Sequence, residues 1–259
     1  MIILAKSTVI SVSGKGGVGK TTIAALILKN LMLTNNRSIL VVDADPATNL
    51  PDLLDVPVTK TVGMVTDEMK KGISKGTISA TVSKESMLEA KIFEILAETS
   101  DFDLLAMGRS EGEGCYCMVN HMLTKVVDSL SKNYDITLMD MEAGLEHLSR
   151  RTERDVDVML IVTDQSRMGL QTAKRIQEIA DEVHISFKKM YLVGNRFNEQ
   201  SSSVFTEAAE KIGFEFIGSI PEDPLVSKYN IQGTSLLKLP EDSPSLKKMS
   251  ELMKRIDLI

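Results

Sequence analysis

The sequence predicts an α/β fold: a mostly parallel sheet of seven or eight strands with helices on both faces. Two patterns in its 259 residues point there. Short β-branched runs alternate with longer stretches of helical periodicity, the arrangement that builds βα units. The apolar runs are near-continuous rather than alternating, as expected of strands buried on both faces. With 43% hydrophobic and 25% charged residues and a net charge of −6, the composition is that of an ordinary folded chain, read here as a single domain over 1–259.

In chain order, the strand candidates are Thr8–Val12, Ile39–Asp43, Asp103–Met107, Ile136–Asp140, Val158–Thr163, Tyr191–Gly194 and Glu215–Ile220. A helix over Thr21–Leu33 follows the first. Another over Arg167–Val183 carries Ala173, Ile176, Ile179, Ala180 and Val183 at i, i+3, i+4 spacing, and a third over Ser201–Ile212 opens on a serine suited to cap it. The stretch Val56–Thr99 is the least regular; its Lys70, Lys71 and Lys75 read as a solvated face. The final stripe of Leu246, Met249, Met253 and Ile256, flanked by Lys247, Lys248, Lys254 and Arg255, fits a helix packed on the sheet better than a membrane-targeting tail, because it is narrow and lacks aromatics.

No apolar run approaches the roughly 18 residues of a membrane span, and Lys6 interrupts the start too early for a secretory signal. The expectation is a cytoplasmic protein with membrane contact disfavoured. The acidic balance, 36 Asp and Glu against 30 Lys and Arg, argues against nucleic acid, whose phosphates demand clustered cations.

After the first strand the chain reads Gly14-Lys15-Gly16-Gly17-Val18-Gly19-Lys20-Thr21-Thr22 and enters a helix. This is G-x-x-x-x-G-K-T in its strand–loop–helix context. Backbone N–H groups of Gly14, Gly16, Gly17, Val18 and Gly19, with Thr22 at the helix start, would converge on phosphate oxygens. Lys20 would reach the β and γ phosphates, and the Thr21 hydroxyl would ligate Mg²⁺. ATP or ADP with Mg²⁺ is the expected ligand. The run Tyr134–Asp140 is an apolar strand ending in a carboxylate, placing Asp140 to hold a metal-bound water.

Lys15 is an additional lysine, and with it the segment resembles the deviant Walker A loop of the MinD/ParA and nitrogenase iron protein ATPases. The resemblance implies that Lys15 crosses to the nucleotide of a second subunit, so that the working unit is a homodimer. Asp43-Ala44-Asp45-Pro46-Ala47-Thr48-Asn49 looks like the family's switch I. By that match Asp45 orients or deprotonates the attacking water and Asp43 sits near Mg²⁺, so Lys15, Lys20 and Asp45 are the expected catalytic residues. Asn195-Arg196, and Pro221 with Asp223 in Ile220-Pro221-Glu222-Asp223, resemble adenine-binding elements; an ordinary loop is the other reading of each.

The chain has two cysteines, Cys115 and Cys117, spaced too tightly for an ordinary structural disulfide. They precede an amphipathic stretch whose stripe is Met118, Val119, Met122, Leu123, Val126, Val127 and Leu130. Helical spacing puts Cys117 on the other face with Asn120, His121, Thr124 and Asp128. If the Cys-x-Cys portion is extended, both sulfurs point to one side. A soft closed site for zinc or nickel wants about four thiolate or imidazole ligands; a C₂ dimer would bring the second pair. Inert thiols are the alternative.

Met107–Cys117, Met139–Leu148 with its Met141-Glu142-Ala143-Gly144, and Ser166–Ile176 closely resemble the CooC-type ATPases that mature nickel carbon monoxide dehydrogenases. That resemblance covers most of the chain. It implies an ATP-dependent dimer that holds Ni²⁺ between two Cys-x-Cys motifs, with Zn²⁺ able to occupy the same site, and delivers nickel to the C-cluster of its client enzyme. Two rival classes are a positioning ATPase that polymerises on membrane or DNA, and an iron–sulfur electron carrier. His121 reads as a helix-surface residue in preference to a ligand, His147 as a hydrogen-bonded structural residue at least as readily as a relay, and His184 as surface.

Overall fold

A computed structural model describes residues 7–34, 37–76, 84–109, 127–142, 156–182, 187–197 and 202–259. Its sheet has eight strands: β1 (Thr8–Gly14), β2 (Ile39–Ala44), β3 (Ala97–Glu98), β4 (Asp103–Ala106), β5 (Ile136–Met141), β6 (Val156–Thr163), β7 (Phe187–Asn195) and β8 (Glu215–Ile220). Their order is β3-β4-β2-β5-β1-β6-β7-β8. Every pairing is parallel except the edge pair β3–β4, where Ala97 faces Leu104 and Glu98 faces Asp103. The seven strands expected are present. The eighth, β3, has two residues, too few to show a period of two; it exists because the turn Thr99–Phe102 folds it back, with the Thr99 N–H on the Phe102 carbonyl at 3.1 Å.

Successive residues of each strand feed two separate cores. Ile10, Val12, Val41, Leu104, Leu138, Leu160 and Val193 point to one face; Val9, Leu40, Val42, Leu105, Met139, Met159, Ile161 and Leu192 point to the other. This alternation with apolar residues on both sides explains the unbroken hydrophobic runs. The first face is covered by α1 (Lys20–Thr34), α2 (Asn49–Leu54) and α8 (Pro244–Arg255), with α7 (Pro224–Gln232) beside them. Helix α1 is apolar nearly all round because sheet, α2 and α8 enclose it; Ile23, Ile27, Leu28 and Leu31 are fully buried. The opposite face is covered by α3 (Val62–Ser74), α4 (Lys84–Ile95), residues 127–130, α5 (Arg167–Glu182) and α6 (Ser202–Lys211).

The expected helices are α1, α5 and α6, with Val183 and the Ser201 cap outside the described residues, and the irregular stretch 56–99 holds α3 and α4. Thr61 starts α3 by accepting the Met64 N–H. Lys71 and Lys75 are exposed, while Lys70 is half-buried and lies 4.0 Å from Asp67. Helix α8 starts on Ser243, with Pro244 in the first turn, and its stripe of Leu246, Met249 and Met253, continued by Ile256, is buried in the first core. The packed reading of this stripe therefore holds. Among the described residues no helix is long and apolar enough to cross a membrane.

Candidate functional site

The phosphate loop is shaped by what surrounds it. Gly14 ends β1 at φ +146, and a Cβ there would stand 2.1 Å from the Val162 carbonyl oxygen of β6; only glycine lets the strands stay in register before the loop lifts away. Gly17 and Gly19 also have positive φ, 78° and 93°. The loop's apolar residue, Val18, is buried, and its carbonyl accepts the Asn195 Nδ2 at 2.7 Å. Asn195 lies so close that a Cβ on Gly19 would meet its Nδ2 at 2.3 Å. The Ile23 N–H then bonds the Gly19 carbonyl at 3.0 Å, opening α1. Lys20 is buried and donates to the Lys15 carbonyl across the loop at 3.5 Å.

The second wall is a pair of carboxylates. Asp43 of β2 and Asp140 of β5 are register partners on adjacent strands, and both are buried. Burial and then the neighbouring Asp140 push the Asp43 carboxyl up to about 7; burial pushes Asp140 up to about 6, against the Thr21 hydroxyl bonded to it and the nearby Lys20. Asp43 Oδ1 accepts the Asp45 N–H and Oδ2 the Leu50 N–H, both at 3.0 Å, so it ties switch I to the start of α2. Asp140 Oδ1 is buried without a hydrogen-bond partner. An orphaned carboxylate oxygen beside a threonine hydroxyl fits a hydrated divalent cation, whose charge would relieve both the burial and the repulsion. Thr21, Asp43 and Asp140 are thus gathered as a donor set suited to Mg²⁺.

Asp45 stands at the same edge, its Oδ1 accepting the Ala47 N–H at 2.8 Å and its carbonyl the Thr48 N–H at 3.0 Å. That turn forces Thr48 to φ 53, a left-handed conformation that a β-branched residue rarely adopts. Lys15 points to Asp164, 3.3 Å away. Asp164 also accepts from the Ser166 hydroxyl and N–H, and hydrogen bonds from Ser166 and then from Lys15 hold its carboxyl below the ordinary range despite burial. Asp164 was not singled out in the sequence. No local motif marks it: β6 lies beside β1 with Val162 opposite Gly14, and this pairing brings the residues following both strands together.

Across the loop lies a narrow crevice whose lining includes Thr22, Asn195, Arg196, Pro221 and Asp223. The structure brings these expected residues together and explains their turn. Phe197 folds back against Gly194, meets Phe205 edge to face and stacks with Phe216, ring centroids 4.9 and 5.7 Å away. The kink leaves Arg196 at φ 58 and exposed. Asp223 caps α7 through the Leu225 N–H and also accepts from the hydroxyls of Ser243 and Ser245. Burial would raise its carboxyl, but these bonds hold it below the usual range. Its side chain thereby ties the crevice wall to the start of α8.

Cys115 and Cys117, with His121, His147 and His184, lie outside the described residues; so does most of the Met118–Leu130 stripe, of which Val127 and Leu130 are buried in the second core. Among the described residues no group of three or more His, Cys, Asp or Glu could hold a metal ion.

A parallel sheet with a glycine-rich loop between β1 and α1, and carboxylates on β2 and β5 at the same edge, defines a P-loop nucleotide-binding protein. The family profile "CobQ/CobB/MinD/ParA nucleotide binding domain" matches residues 9–236, and the chain belongs to that family. It is 47% identical to an uncharacterized ATP-binding protein of Methanocaldococcus jannaschii, over 96% of this chain and 98% of that one. It is 30% identical to the carbon monoxide dehydrogenase accessory protein CooC of Rhodospirillum rubrum, covering 89% of each. The cell division ATPase MinD of Pyrococcus furiosus has the same fold, with a TM-score of 0.67 at 21% identity over 97% of this chain and 98% of that one.

Proposed function

We propose that residues 1–259 form a single cytoplasmic ATPase domain that works as a homodimeric metallochaperone, binding Ni²⁺ between paired Cys-x-Cys motifs and delivering it to a nickel carbon monoxide dehydrogenase. Zn²⁺ would compete for the same thiolates. Gly14, Gly16, Gly17, Val18, Gly19, Lys20, Thr21 and Thr22 take the phosphates of ATP, and the Asn195, Arg196, Pro221 and Asp223 crevice takes the base. Thr21, Asp43 and Asp140 hold Mg²⁺, which neutralises phosphate charge.

Hydrolysis is a positioning and electrostatic problem in which the γ-phosphoryl group passes to water and charge builds on its oxygens. Asp45 orients the attacking water once its carboxylate leaves the Ala47 N–H. Lys20 meets the β and γ phosphates within its own subunit. Lys15, held by Asp164 in one chain, turns to the nucleotide of the second. Closure of two subunits around ATP brings the two cysteine pairs together, and reopening releases the metal; thiolate ligation makes uptake fall as pH drops.

The observation that carries this reading is that a chain with Lys15 in its phosphate loop has just two cysteines, in a sequence segment that resembles that of the CooC-type proteins. The 30% identity to the Rhodospirillum rubrum accessory protein supports it. Replacing Cys115 and Cys117 by serine should abolish Ni²⁺ uptake by dialysed protein. Unchanged uptake would reject the site.

A further inference from the structure

Two connections run from the loop at Asp43 to the end of β4. The first is backbone: the Met107 N–H donates to the Asp43 carbonyl at 2.8 Å, and the Met107 carbonyl accepts the Gly63 N–H at 2.9 Å. The peptide of residue 107 is therefore gripped by switch I on one side and by the first turn of α3 on the other. The second is steric. Gly108 has φ 63, and a Cβ on it would lie 2.2 Å from Thr61 Oγ1, 2.5 Å from Cβ and 2.6 Å from Cγ2. No side chain fits there, so Thr61 and Gly108 are in mutual contact over the whole threonine side chain.

Both connections start from the same loop. The Asp43 carboxylate binds the Asp45 and Leu50 N–H groups, so rearranging it shifts α2. The chain after α2 runs through Asp55, itself left-handed at φ 60, to Thr61 at the head of α3. The Asp43 carbonyl bears on Met107 directly. A short stretch of sequence after Gly108 comes Cys115.

We propose that Thr61 and Gly108 form the positioning joint through which the state of the nucleotide loop is passed to the segment bearing Cys115 and Cys117. This rests on the reading of those cysteines as nucleotide-responsive ligands and adds the residues that make them so. Gly108 is required because only a residue without Cβ lets the end of β4 sit against Thr61 while its peptide neighbour is tied to Asp43. Thr61 acts through Gly108 and touches neither nucleotide nor metal. In the structure Asp43 holds the Asp45 and Leu50 N–H groups, and a nucleotide-dependent change in those bonds would be felt at Thr61 and Gly108.

The two cysteines are the chain's whole complement of thiols, so labelling of the metal-free protein with a maleimide reads this segment alone. With Mg²⁺ and ATP the wild-type labelling rate should change by about fivefold or more, the smallest ratio typical of coupled sites. In Gly108→Ala and in Thr61→Ala that ratio should fall below about twofold while ATP affinity is kept, and Thr61→Ser, which keeps the hydroxyl, should restore most of it. If Gly108→Ala does not fold, the Thr61 pair decides alone. A folded variant that keeps the wild-type ratio, or a wild type whose labelling ignores ATP, overturns the joint. Ni²⁺ uptake measured separately by dialysis distinguishes the two readings: a wild type that takes up no nickel yet labels in an ATP-dependent way refutes the metal assignment and leaves the joint standing.

Discussion

Lys15 Nζ lies 3.3 Å from Asp164 Oδ2 of the same chain, so in a single subunit the extra lysine of the phosphate loop faces the neighbouring strand's carboxylate. Both side chains are more than a third exposed, and such pairs contribute at most about 1 kcal/mol. In the proposed dimer the phosphates bound to the other subunit would therefore win Lys15 over. Lys15→Gln should lower ATP turnover by about 10³-fold and leave binding of ATP to the single chain within about twofold. Asp164→Asn should shift the concentration for ATP-dependent association by no more than about fivefold. Turnover assays and equilibrium nucleotide binding check the first, sedimentation the second; Lys15→Gln with normal turnover would remove the lysine from the reaction.

Asp43 and Asp140 bind protons more tightly in the folded chain than when unfolded, because burial disfavours their charge. Their contribution to stability is complete below about pH 4 and is lost as pH rises through about 6 for Asp140 and about 7 for Asp43. Asp140→Asn removes one of these charges, so in metal-free buffer its stability relative to wild type should be higher at pH 8 than at pH 5 by on the order of 2 kcal/mol. Mg²⁺ should reverse the preference in the wild type and bind more weakly below about pH 6, where it competes with protons. Thermal melts with and without Mg²⁺ measure both; a pH-independent difference between the two proteins would contradict the buried pair.

Asn195 is the brace of the phosphate loop whatever else it does for the base. Asn195→Ala should cost about 1–2 kcal/mol of stability, since the buried Val18 carbonyl loses its donor, and should weaken ADP and inorganic phosphate alike. Gly19→Ala should do comparable damage by driving a methyl into Asn195. Calorimetric binding of both ligands checks this; an Asn195 variant with unchanged phosphate affinity would leave the amide to the base alone.

The apolar stripe of α8 belongs to the core beside α1. Leu246→Ala should destabilise by about 2–4 kcal/mol in urea unfolding. With its stripe enclosed, the chain with ATP should stay in the supernatant when spun with anionic vesicles. Co-sedimentation would favour the positioning-ATPase reading instead.

Much of this was legible from local pattern. Strands buried on both faces announce themselves as unbroken apolar runs, Gly14–Thr22 and Asp140 stand in short motifs, and Asp43 and Asp45 were picked out by the likeness of their segment to the family's switch I. What was not legible depends on packing between distant segments. Strand β3 is set by a turn rather than by periodicity. Asp164 meets Lys15 because β6 lies beside β1, and Thr61 meets Gly108 because α3 starts against the end of β4. Asp223 looked like a wall of the base crevice; its bonds to Ser243 and Ser245 join segments that no motif relates.

In the proposed dimer two chains share one nickel site and close it with ATP. Light scattering coupled to metal analysis, on anaerobic protein given Mg²⁺, a non-hydrolysable ATP analogue and Ni²⁺, measures it most directly. The expected result is a particle of twice 28.5 kDa with about one Ni²⁺ per two chains. A 28.5 kDa particle carrying both nucleotide and nickel would contradict it.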